Sequence, residues 1–308
     1  MSKIEKALNK ARSAGLLKVV PPAEPKPGVE SSPQAVSSAR AIVPRPEQRL
    51  ISSDAIARMR EKTLLGKNVL AENRIIYPEQ EENATVRAFR EIRTKILQKT
   101  RGANCTIMVT SVTGQGGCSF VAMNLGAAFA FDTGKTALLV DCNFRNPSLQ
   151  TTVLPENARG LTDYLEHPGM DVAEIIHAVG IERLRIIPAG GRREIPAEYF
   201  TSTRMKELLD DITRRYAERF IILDAPPMTE TADTRILAEL CDYAVLVAPY
   251  GKVTETQISA CAKALGEKKL LGVVLNNEPR PPHIQWRKLF LNPFGILWRN
   301  RSGRNASK

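Results

Sequence analysis

Six short apolar runs, all from Cys105 onward, dominate the pattern of hydrophobic and polar positions along the chain. They are CTIMVTS, TALLVDC, LRIIPAG, FIILDAPP, YAVLVAP and LLGVVLN. Near-continuous apolar runs of this length are typical of strands buried on both faces of a sheet. Helical stretches separate them at 120–131, 203–216 and 255–265. The alternation predicts an α/β fold with a doubly wound, mostly parallel sheet, whose ligand site lies at the carboxyl ends of the strands.

The remaining segments differ in composition and periodicity. The first residues place Ile4, Ala7 and Leu8 on one helical face with basic residues around the rest, which predicts an amphipathic docking helix. A Pro- and Ser-rich stretch follows that cannot bury enough apolar surface to fold by itself, so it is interpreted as a flexible linker. The predicted boundaries are docking helix 1–17, linker 18–50, helical extension 51–82 with an interruption at Gly66, main domain 83–278 and basic aromatic tail 279–308.

The tail carries much of the chain's formal net charge of +11, because seven Lys or Arg follow Glu278. Aromatic residues recur there at every fourth position, namely Trp286, Phe290, Phe294 and Trp298. Basic residues interleaved with Trp and Phe suit the headgroup region of an anionic membrane. The alternative is a basic tail packed on the domain or on a partner. No nucleic-acid-binding motif is recognisable, so no nucleic-acid partner is predicted.

The composition and the spacing of apolar residues and cysteines argue against a membrane-spanning, disulfide-rich or zinc-binding protein. With 43% apolar and 25% charged residues, the chain has the composition of a soluble globular protein. No apolar run approaches the ~20 residues that span a bilayer, and charged residues follow Met1, so a cytoplasmic protein is expected. The five cysteines are scattered without the spacing of metal ligands, so neither structural zinc nor a disulfide framework is expected.

Polar residues gather at the ends of three predicted strands. The segment TSVTGQGGCSF, 110–120, is a glycine-rich turn into a helix with Cys-Ser where a phosphate-binding loop has Lys-Ser. The second strand ends at Asp141 and the third at Asp224. Backbone N–H groups at a helix N-terminus bind phosphate, and carboxylates hold magnesium. Although such a turn and a single terminal aspartate also occur as structural features, their combination in one parallel sheet favours the ancestry of a nucleotide site.

From about Asn83 to Asn277 the chain resembles the bacterial tyrosine kinases (BY-kinases) of polysaccharide synthesis, which are relatives of the partition and division-site ATPases. The matching stretches, in family order, are AFREIRTKIL, TSVTGQGGCSFVAMNLGAAFA, LLVDCNFRNPSL, GLTDYLEH, IIPAGGRREIPAEYF and FIILDAPPMTETADTRILAELCDYAVLV. The opening MSKIEKALNKA also resembles the start of kinases associated with exopolysaccharide gene clusters. The resemblance implies a P-loop NTPase-like domain for phosphoryl transfer. It also implies docking on the cytoplasmic end of a membrane-embedded polysaccharide co-polymerase, the chain-length determinant, and a location peripheral to the inner membrane.

The family's functional residues carry over onto matching positions of this chain. The implied nucleotide-binding residues are Gly114, Gln115, Gly116, Gly117, Cys118, Ser119, Phe120 and Asn276. The implied catalytic residues are Asp141, Asn143 and Asp224, and the implied magnesium ligands are Ser119, Asp141 and Asp224. Two of these positions have more than one interpretation. Asn276 matches a family position that contacts adenine, but it can also be a polar cap of its strand. Cys118 is either a reactive thiol or an inert small residue.

The chain departs from the family in the loop and at the magnesium site. Cys118 stands at the lysine, Gln115 at the first loop glycine and Asn143 at a second aspartate. Removing a lysine from ~4 Å of a phosphate charge forgoes about 4 kcal/mol at an effective dielectric near 20. Because phosphoryl transfer depends mainly on positioning and on such charges, ATP and Mg²⁺ are expected to bind weakly and transfer to be impaired. Lys135 or Arg145 offers an alternative source of the missing charge.

Further departures concern self-assembly. Arg87 stands at the glutamate of the family's Glu-x-x-Arg-x-x-Arg ring-contact motif, which leaves Arg90 and Arg93. Tyr250 is the last tyrosine, so the tyrosine-rich C-terminal tail of the family is absent from this sequence. The sequence therefore predicts a degenerate BY-kinase, a pseudokinase that regulates or scaffolds the co-polymerase, as a homo-oligomer or as a hetero-oligomer with a related kinase. The alternatives are an active autokinase with an internal target such as Tyr77, and a membrane-positioning ATPase.

Overall fold

The computed structural model describes residues 61, 64–149, 154–155, 157–215, 218–230, 232–278, 290–291 and 297–298. The predictions of a docking helix at 1–17 and of a linker at 18–50 lie outside these residues, as does most of the tail. None of the helices in the described ranges is long and apolar enough to cross a membrane.

Helices and strands alternate through the main domain. The helices are α1 Lys67–Glu72, α2 Ala84–Thr100, α3 Cys118–Ala130, α4 Leu161–Glu166, α5 Pro196–Thr201, α6 Thr203–Arg215, α7 Asp233–Glu239 and α8 Glu255–Leu265. The strands are β1 Thr106–Ser111, β2 Thr136–Asp141, β3 His177–Ala178, β4 Leu184–Ile187, β5 Arg219–Asp224, β6 Tyr243–Pro249, β7 Leu270–Asn276, β8 Phe290–Leu291 and β9 Leu297–Trp298.

The main sheet confirms the predicted α/β fold. Its seven strands lie in the order β3-β4-β2-β5-β1-β6-β7, and every pair is parallel except β3 with β4. All six apolar runs contain a strand of this sheet. Strand β3 was not predicted, because its two residues are too short to show an apolar run. Strands β8 and β9 pair with each other in a separate antiparallel sheet.

Helices cover both faces of the sheet and enclose two clusters of buried side chains. Helices α1 to α3 close one cluster, which includes Phe89, Leu125 and Phe129. Helices α5 to α8 close the other, which includes Leu208 and Leu237. Successive strand residues point into opposite clusters, so every position of the central strands β1 and β5 is buried, and their middle positions, 107–109 and 220–223, are apolar. This double burial is the physical reason for the continuous apolar runs in the sequence.

The helices before the sheet follow the sequence pattern in part. Helix α2 starts at its N-cap Asn83, whose side chain accepts hydrogen bonds from the backbone N–H groups of Thr85 and Val86 at 2.9 and 3.0 Å. In the helical extension predicted for 51–82, the described residues contain only α1, which begins directly after Gly66. The predicted interruption at Gly66 thus coincides with a helix start.

Two backbone segments approach each other closely at Gly160, so a substitution there tests the fold. The N–H groups of Leu161 and Thr162 donate to the carbonyls of Pro188 and Ala189 at 2.8 and 2.9 Å, which brings the start of α4 against the end of β4. A Cβ atom on Gly160 would lie 2.4 Å from the Pro188 carbonyl oxygen and 2.2 Å from the backbone nitrogen of the following Gly190. Neither backbone can move without breaking these hydrogen bonds.

We expect Gly160→Ala to lower the free energy of unfolding by ~3 kcal/mol, because the added methyl group overlaps backbone atoms. Chemical denaturation measured by circular dichroism checks this. The matched control is Gly169→Ala, since nothing lies within 4 Å of a Cβ atom at Gly169 and its φ is not positive. The control should change stability by less than about 0.5 kcal/mol. Equal stability of the two variants would show that the chain around Gly160 is loose.

Candidate functional site

The register of the central strands brings the predicted site residues together. Asp141 at the end of β2 lies opposite Asp224 at the end of β5, and Asp224 lies opposite Val109 of β1. Strand β1 leads into the glycine-rich loop, which ends where α3 begins at Cys118. Because parallel strands end at the same edge, the loop and both aspartates form one site.

The loop has the tight form of a phosphate-binding turn. Gln115 and Gly117 adopt left-handed backbone conformations, with φ of 54° and 83°. A Cβ atom on Gly116 would lie 2.8 Å from the Cβ atom of Ser111, so only glycine fits there. Gln115 at positive φ costs on the order of 1–2 kcal/mol, which a glycine would avoid. The loop shape and the start of α3 are therefore retained although one glycine is missing.

The thiol of Cys118 is held by the strand ends rather than exposed as a nucleophile. Its Sγ donates to Asp224 Oδ1 at 3.0 Å and lies 3.1 Å from the Val109 carbonyl oxygen. Burial raises the pKa of the thiol well above its ordinary value, and the charge and hydrogen bond of Asp224 raise it further. The thiol is thus protonated at neutral pH, which favours the interpretation of Cys118 as an inert residue over a reactive one.

The two carboxyl groups share a desolvated space. Asp141 and Asp224 are 0% and 1% exposed. Burial raises the pKa of both groups, and the charge of Asp224 raises that of Asp141 further. Asp224 Oδ2 is buried with no hydrogen-bond partner in the described part of the chain. Ionising both carboxyl groups at neutral pH is therefore costly unless a cation joins them.

The loop after β2 wraps around Asp141 and reaches Ser119. Asp141 Oδ1 accepts the N–H of Asn143 at 3.0 Å, and Oδ2 accepts the N–H groups of Ser148 and Leu149 at 3.3 and 3.2 Å. These hydrogen bonds lower the pKa of Asp141 but do not offset its burial. The hydroxyls of Ser119 and Ser148 are 2.9 Å apart and hydrogen-bonded. All three implied magnesium ligands thus have hydrogen-bond partners within the chain, and only the Oδ2 atom of Asp224 has none in the described residues.

The two alternative sources of positive charge occupy different places. Lys135 Nζ donates to the Gly102 carbonyl at 2.7 Å, at the amino end of the sheet. Strand β2 separates Lys135 from the site by about 20 Å, so Lys135 is ruled out as the replacement. Arg145 lies at the correct edge, but its guanidinium pairs with the buried carboxylate of Asp233 at 3.2 Å.

Two further side chains border the loop. Asn276 Nδ2 donates to the Gly116 carbonyl at 2.8 Å and would lie 2.1 Å from a Cβ atom on Gly117. Asn276 therefore fixes the loop from the end of β7. The carboxylate of Glu230 lies on the other side, where its Oε1 would be 2.1 Å from a Cβ atom on Gly114. Sequence reasoning missed Glu230, because no local pattern marks its approach to Gly114.

Phe120, an implied nucleotide-binding residue, lies at the interface of two helices. Its ring packs edge-on against Phe89 of α2, with ring centroids 5.9 Å apart. This contact fixes the first turn of α3 against α2. The position of Phe120 is thus explained by packing within the fold.

A magnesium nucleotide fits this site only in part. The unpartnered Asp224 Oδ2 and the neighbouring Asp141 are oxygen donors of the kind that Mg²⁺ prefers. A triphosphate at the loop, however, would lie beside the neutral Cys118 and beside the carboxylate of Glu230, which lies against Gly114. The donors suit a divalent cation, whereas the charges around the loop do not suit a polyphosphate anion.

Comparison with known proteins places this site in context. No protein-family model matches the chain. It is 32% identical over 201 residues to the tyrosine-protein kinase YwqD of Bacillus subtilis, an alignment that covers 64% of this chain and 83% of YwqD. It is 26% identical over 224 residues to the tyrosine-protein kinase wzc of Salmonella typhi, which covers 72% of this chain but 31% of wzc, so the chain spans about a third of that relative.

A solved structure has the same α/β fold as this chain. The kinase domain of the Escherichia coli tyrosine kinase ETK superposes with a TM-score of 0.62 at 23% identity, over 73% of this chain and 86% of that domain. At this level of identity, the likeness concerns the architecture of the sheet and helices.

The raised pKa values of the two aspartates give a prediction for stability. Since burial raises them above their values in the unfolded chain, the pair favours folding below about pH 4 and loses that contribution as the pH rises through the folded values. Asp224→Asn removes one charge and keeps the acceptor for Cys118. We expect the variant to gain on the order of 1–2 kcal/mol over the parent between about pH 5 and pH 8.

Urea unfolding of both proteins at the two pH values checks this prediction. Asp210→Asn is the control, because Asp210 is an exposed residue of α6. A pH-independent difference for Asp224→Asn would contradict the prediction, because it would mean that burial does not raise the pKa of Asp224 above its value in the unfolded chain.

Proposed function

The chain belongs to the bacterial tyrosine kinase family, and from that membership and the state of its site we propose that it is a pseudokinase with impaired ATP binding and phosphoryl transfer. It acts in exopolysaccharide biosynthesis or export. There it regulates or scaffolds a membrane co-polymerase that determines chain length. The relatives YwqD and wzc are named as tyrosine-protein kinases, which supports the family part of this proposal.

The observation that carries the proposal is the hydrogen bond from the Cys118 thiol to Asp224 at 3.0 Å. In the family, a lysine at this position binds the phosphates of ATP. The cysteine is neutral, and the raised pKa of its thiol keeps it protonated beside a carboxyl group. The site therefore contains a satisfied donor where phosphoryl transfer requires a full positive charge.

The missing charge has a large expected effect. A lysine ~4 Å from a phosphate charge contributes about 4 kcal/mol at an effective dielectric near 20, which corresponds to roughly a thousandfold in affinity. Asn143 in place of an aspartate removes one further charge on the metal side. In the described structure Arg145 pairs with Asp233, so Arg145 can replace the missing lysine charge only if that ion pair breaks.

The partner follows from the family resemblance, and one contact bears on assembly. Of the arginines in the implied ring-contact motif, Arg93 donates through Nη1 to the Ala128 carbonyl at 2.9 Å and so caps α3 of its own chain. Arg87 is exposed and Arg90 is half-buried. The proposal therefore favours docking on the co-polymerase, or joining a related active kinase, over an independent ring of this chain.

An active autokinase is the second candidate, because Asp141 and Asp224 are both present at the strand ends. Its internal target would be a tyrosine such as the half-buried Tyr77. This candidate requires a nucleotide to bind at the loop as it stands. Nucleotide affinity therefore distinguishes the two candidates.

We predict that the parent protein binds a fluorescent ATP analogue with magnesium more weakly than about 1 mM, and that Cys118→Lys binds about a thousandfold more tightly. Fluorescence anisotropy measures both affinities. Cys118→Ala is the matched control, since it removes the thiol without adding charge and should bind as weakly as the parent. Micromolar binding by the parent would favour the autokinase instead.

The Ser119 hydroxyl adds a second step to this test. Because it is hydrogen-bonded to Ser148, adding Ser148→Ala to Cys118→Lys frees a magnesium ligand. We expect the double variant to bind the magnesium nucleotide about tenfold more tightly than Cys118→Lys alone. Equal affinities of the single and double variants would show that Ser119 exchanges Ser148 for magnesium without a free-energy cost.

A genetic complementation tests the regulatory role. In a strain that lacks this gene, Asp224→Asn should restore exopolysaccharide amount and chain length as well as the parent gene does, because the proposed role needs no phosphoryl transfer. Gel filtration of the extracted polymer measures both quantities. Failure of Asp224→Asn, with the protein present at normal level, would contradict the pseudokinase proposal.

A further inference from the structure

Strand β7 forms an unusual edge of the main sheet. It is the last strand in the sheet order and pairs along one side with β6. None of its residues is buried, whereas six of the seven residues of β6 are. Its sequence, LLGVVLN, is nevertheless as apolar as that of a central strand. An apolar edge strand left open is a template for pairing with another segment.

The exposed apolar side chains concentrate at this edge. Val273 and Leu275 of β7 are 41% and 61% exposed, and Tyr250, which follows β6, is 51% exposed. The backbone N–H of Tyr250 donates to the carbonyl of Asn276 at 2.8 Å, so Tyr250 lies beside the end of β7. We call Tyr250, Val273 and Leu275 the edge patch.

The position of the edge patch shows which layer is incomplete. Val273 and Leu275 lie beside Leu246 and Ala248 of β6, both fully buried in the cluster that α8 closes. Helix α8 contributes Cys261 and Leu265 to that cluster. Val273 and Leu275 continue the same apolar surface beyond the cover of α8. One more apolar element over the edge would complete the layer.

The chain itself supplies such an element. Strands β8 and β9, Phe290–Leu291 and Leu297–Trp298, pair with each other in register and consist entirely of apolar residues. A two-stranded pair is marginally stable alone and gains stability by packing an apolar face on a sheet. Only 13 positions separate Asn276 from Phe290. A connection of that length spans at most about 45 Å, and β7 is about 23 Å long, so the pair can reach every position along the edge.

We propose that the β8–β9 pair packs on the edge patch and covers β7. The short covalent connection gives this contact an effective concentration in the millimolar range, which an unattached partner rarely matches. The proposal assigns the aromatic residues of the tail a role in completing the fold. It is independent of whether the loop binds a nucleotide.

Docking at this edge also reaches the candidate site. Asn276 ends β7, and its side-chain amide donates to the Gly116 carbonyl of the loop at 2.8 Å. A tail that steadies β7 therefore steadies the loop through Asn276. The backbone amides of 114–119 report this coupling.

Hydrogen exchange of the full-length chain, followed by mass spectrometry, tests the proposal. Phe290→Asp together with Trp298→Asp should speed exchange of the β7 amides about tenfold or more, and should speed exchange in 114–119 to a smaller extent. In the reciprocal variant, Leu275→Asp, exchange in peptides that span 290–298 should rise. The matched control is Ile195→Asp, because Ile195 is as exposed as Leu275, at 62% and 61%, but lies before α5. It should leave both regions unchanged.

Unchanged β7 exchange in the tail variant would overturn the proposal. The same exchange experiment with vesicles of phosphatidylcholine and phosphatidylserine distinguishes packing of the tail on β7 from binding of the tail to a membrane. Vesicles that leave β7 protection unchanged support the intramolecular contact. Vesicles that raise β7 exchange while protecting 290–298 would show a tail that prefers the membrane, and would overturn it. A rise in 290–298 exchange with Ile195→Asp would also count against it, since the effect would then not depend on the edge patch.

Discussion

The hydrogen bond between the Cys118 thiol and the Asp224 carboxyl group determines the character of the site. A lysine at this position would offset the charge of the two buried aspartates, but a protonated thiol supplies only a weak neutral donor. Among the residues that the structure describes, no cation pairs with these aspartates, and burial raises the pKa of both. The site favours a proton or a divalent cation between the two carboxyl groups, and the backbone of the loop has the shape of a phosphate-binding turn.

The fold could be predicted from the sequence because its strands are buried on both faces. Continuous apolar runs of strand length, separated by helices, leave few arrangements other than a parallel doubly wound sheet. The same rule placed the loop, Asp141 and Asp224 at one edge, because parallel strands end together. What could not be predicted were features with no local pattern. Strand β3 has only two residues. The close approach of Gly160 to Gly190 brings together segments that are 30 positions apart in the sequence.

The side chains around the loop were harder to predict for a related reason. Nothing in the local sequence indicates that the carboxylate of Glu230 lies against Gly114, because their approach depends on the path of the connection after β5. Lys135 illustrates the opposite case. It is close in sequence to Asp141, but a strand of six residues carries the chain across the sheet between them, so their charges do not meet. Distance along a strand is a stronger constraint on electrostatics than distance in sequence.

The separation between core and site explains how a kinase fold can persist around a loop without its lysine. The buried clusters on both faces of the sheet consist of apolar side chains that pack against one another. The loop is instead held by contacts within the chain, with Asn276 on Gly116 and the Cys118 thiol on Asp224. A phosphate-binding loop held in this way keeps its conformation without a ligand. These two contacts also tie the loop to the ends of β5 and β7, so the surface around the loop is defined by the chain itself, as the proposed scaffold role requires.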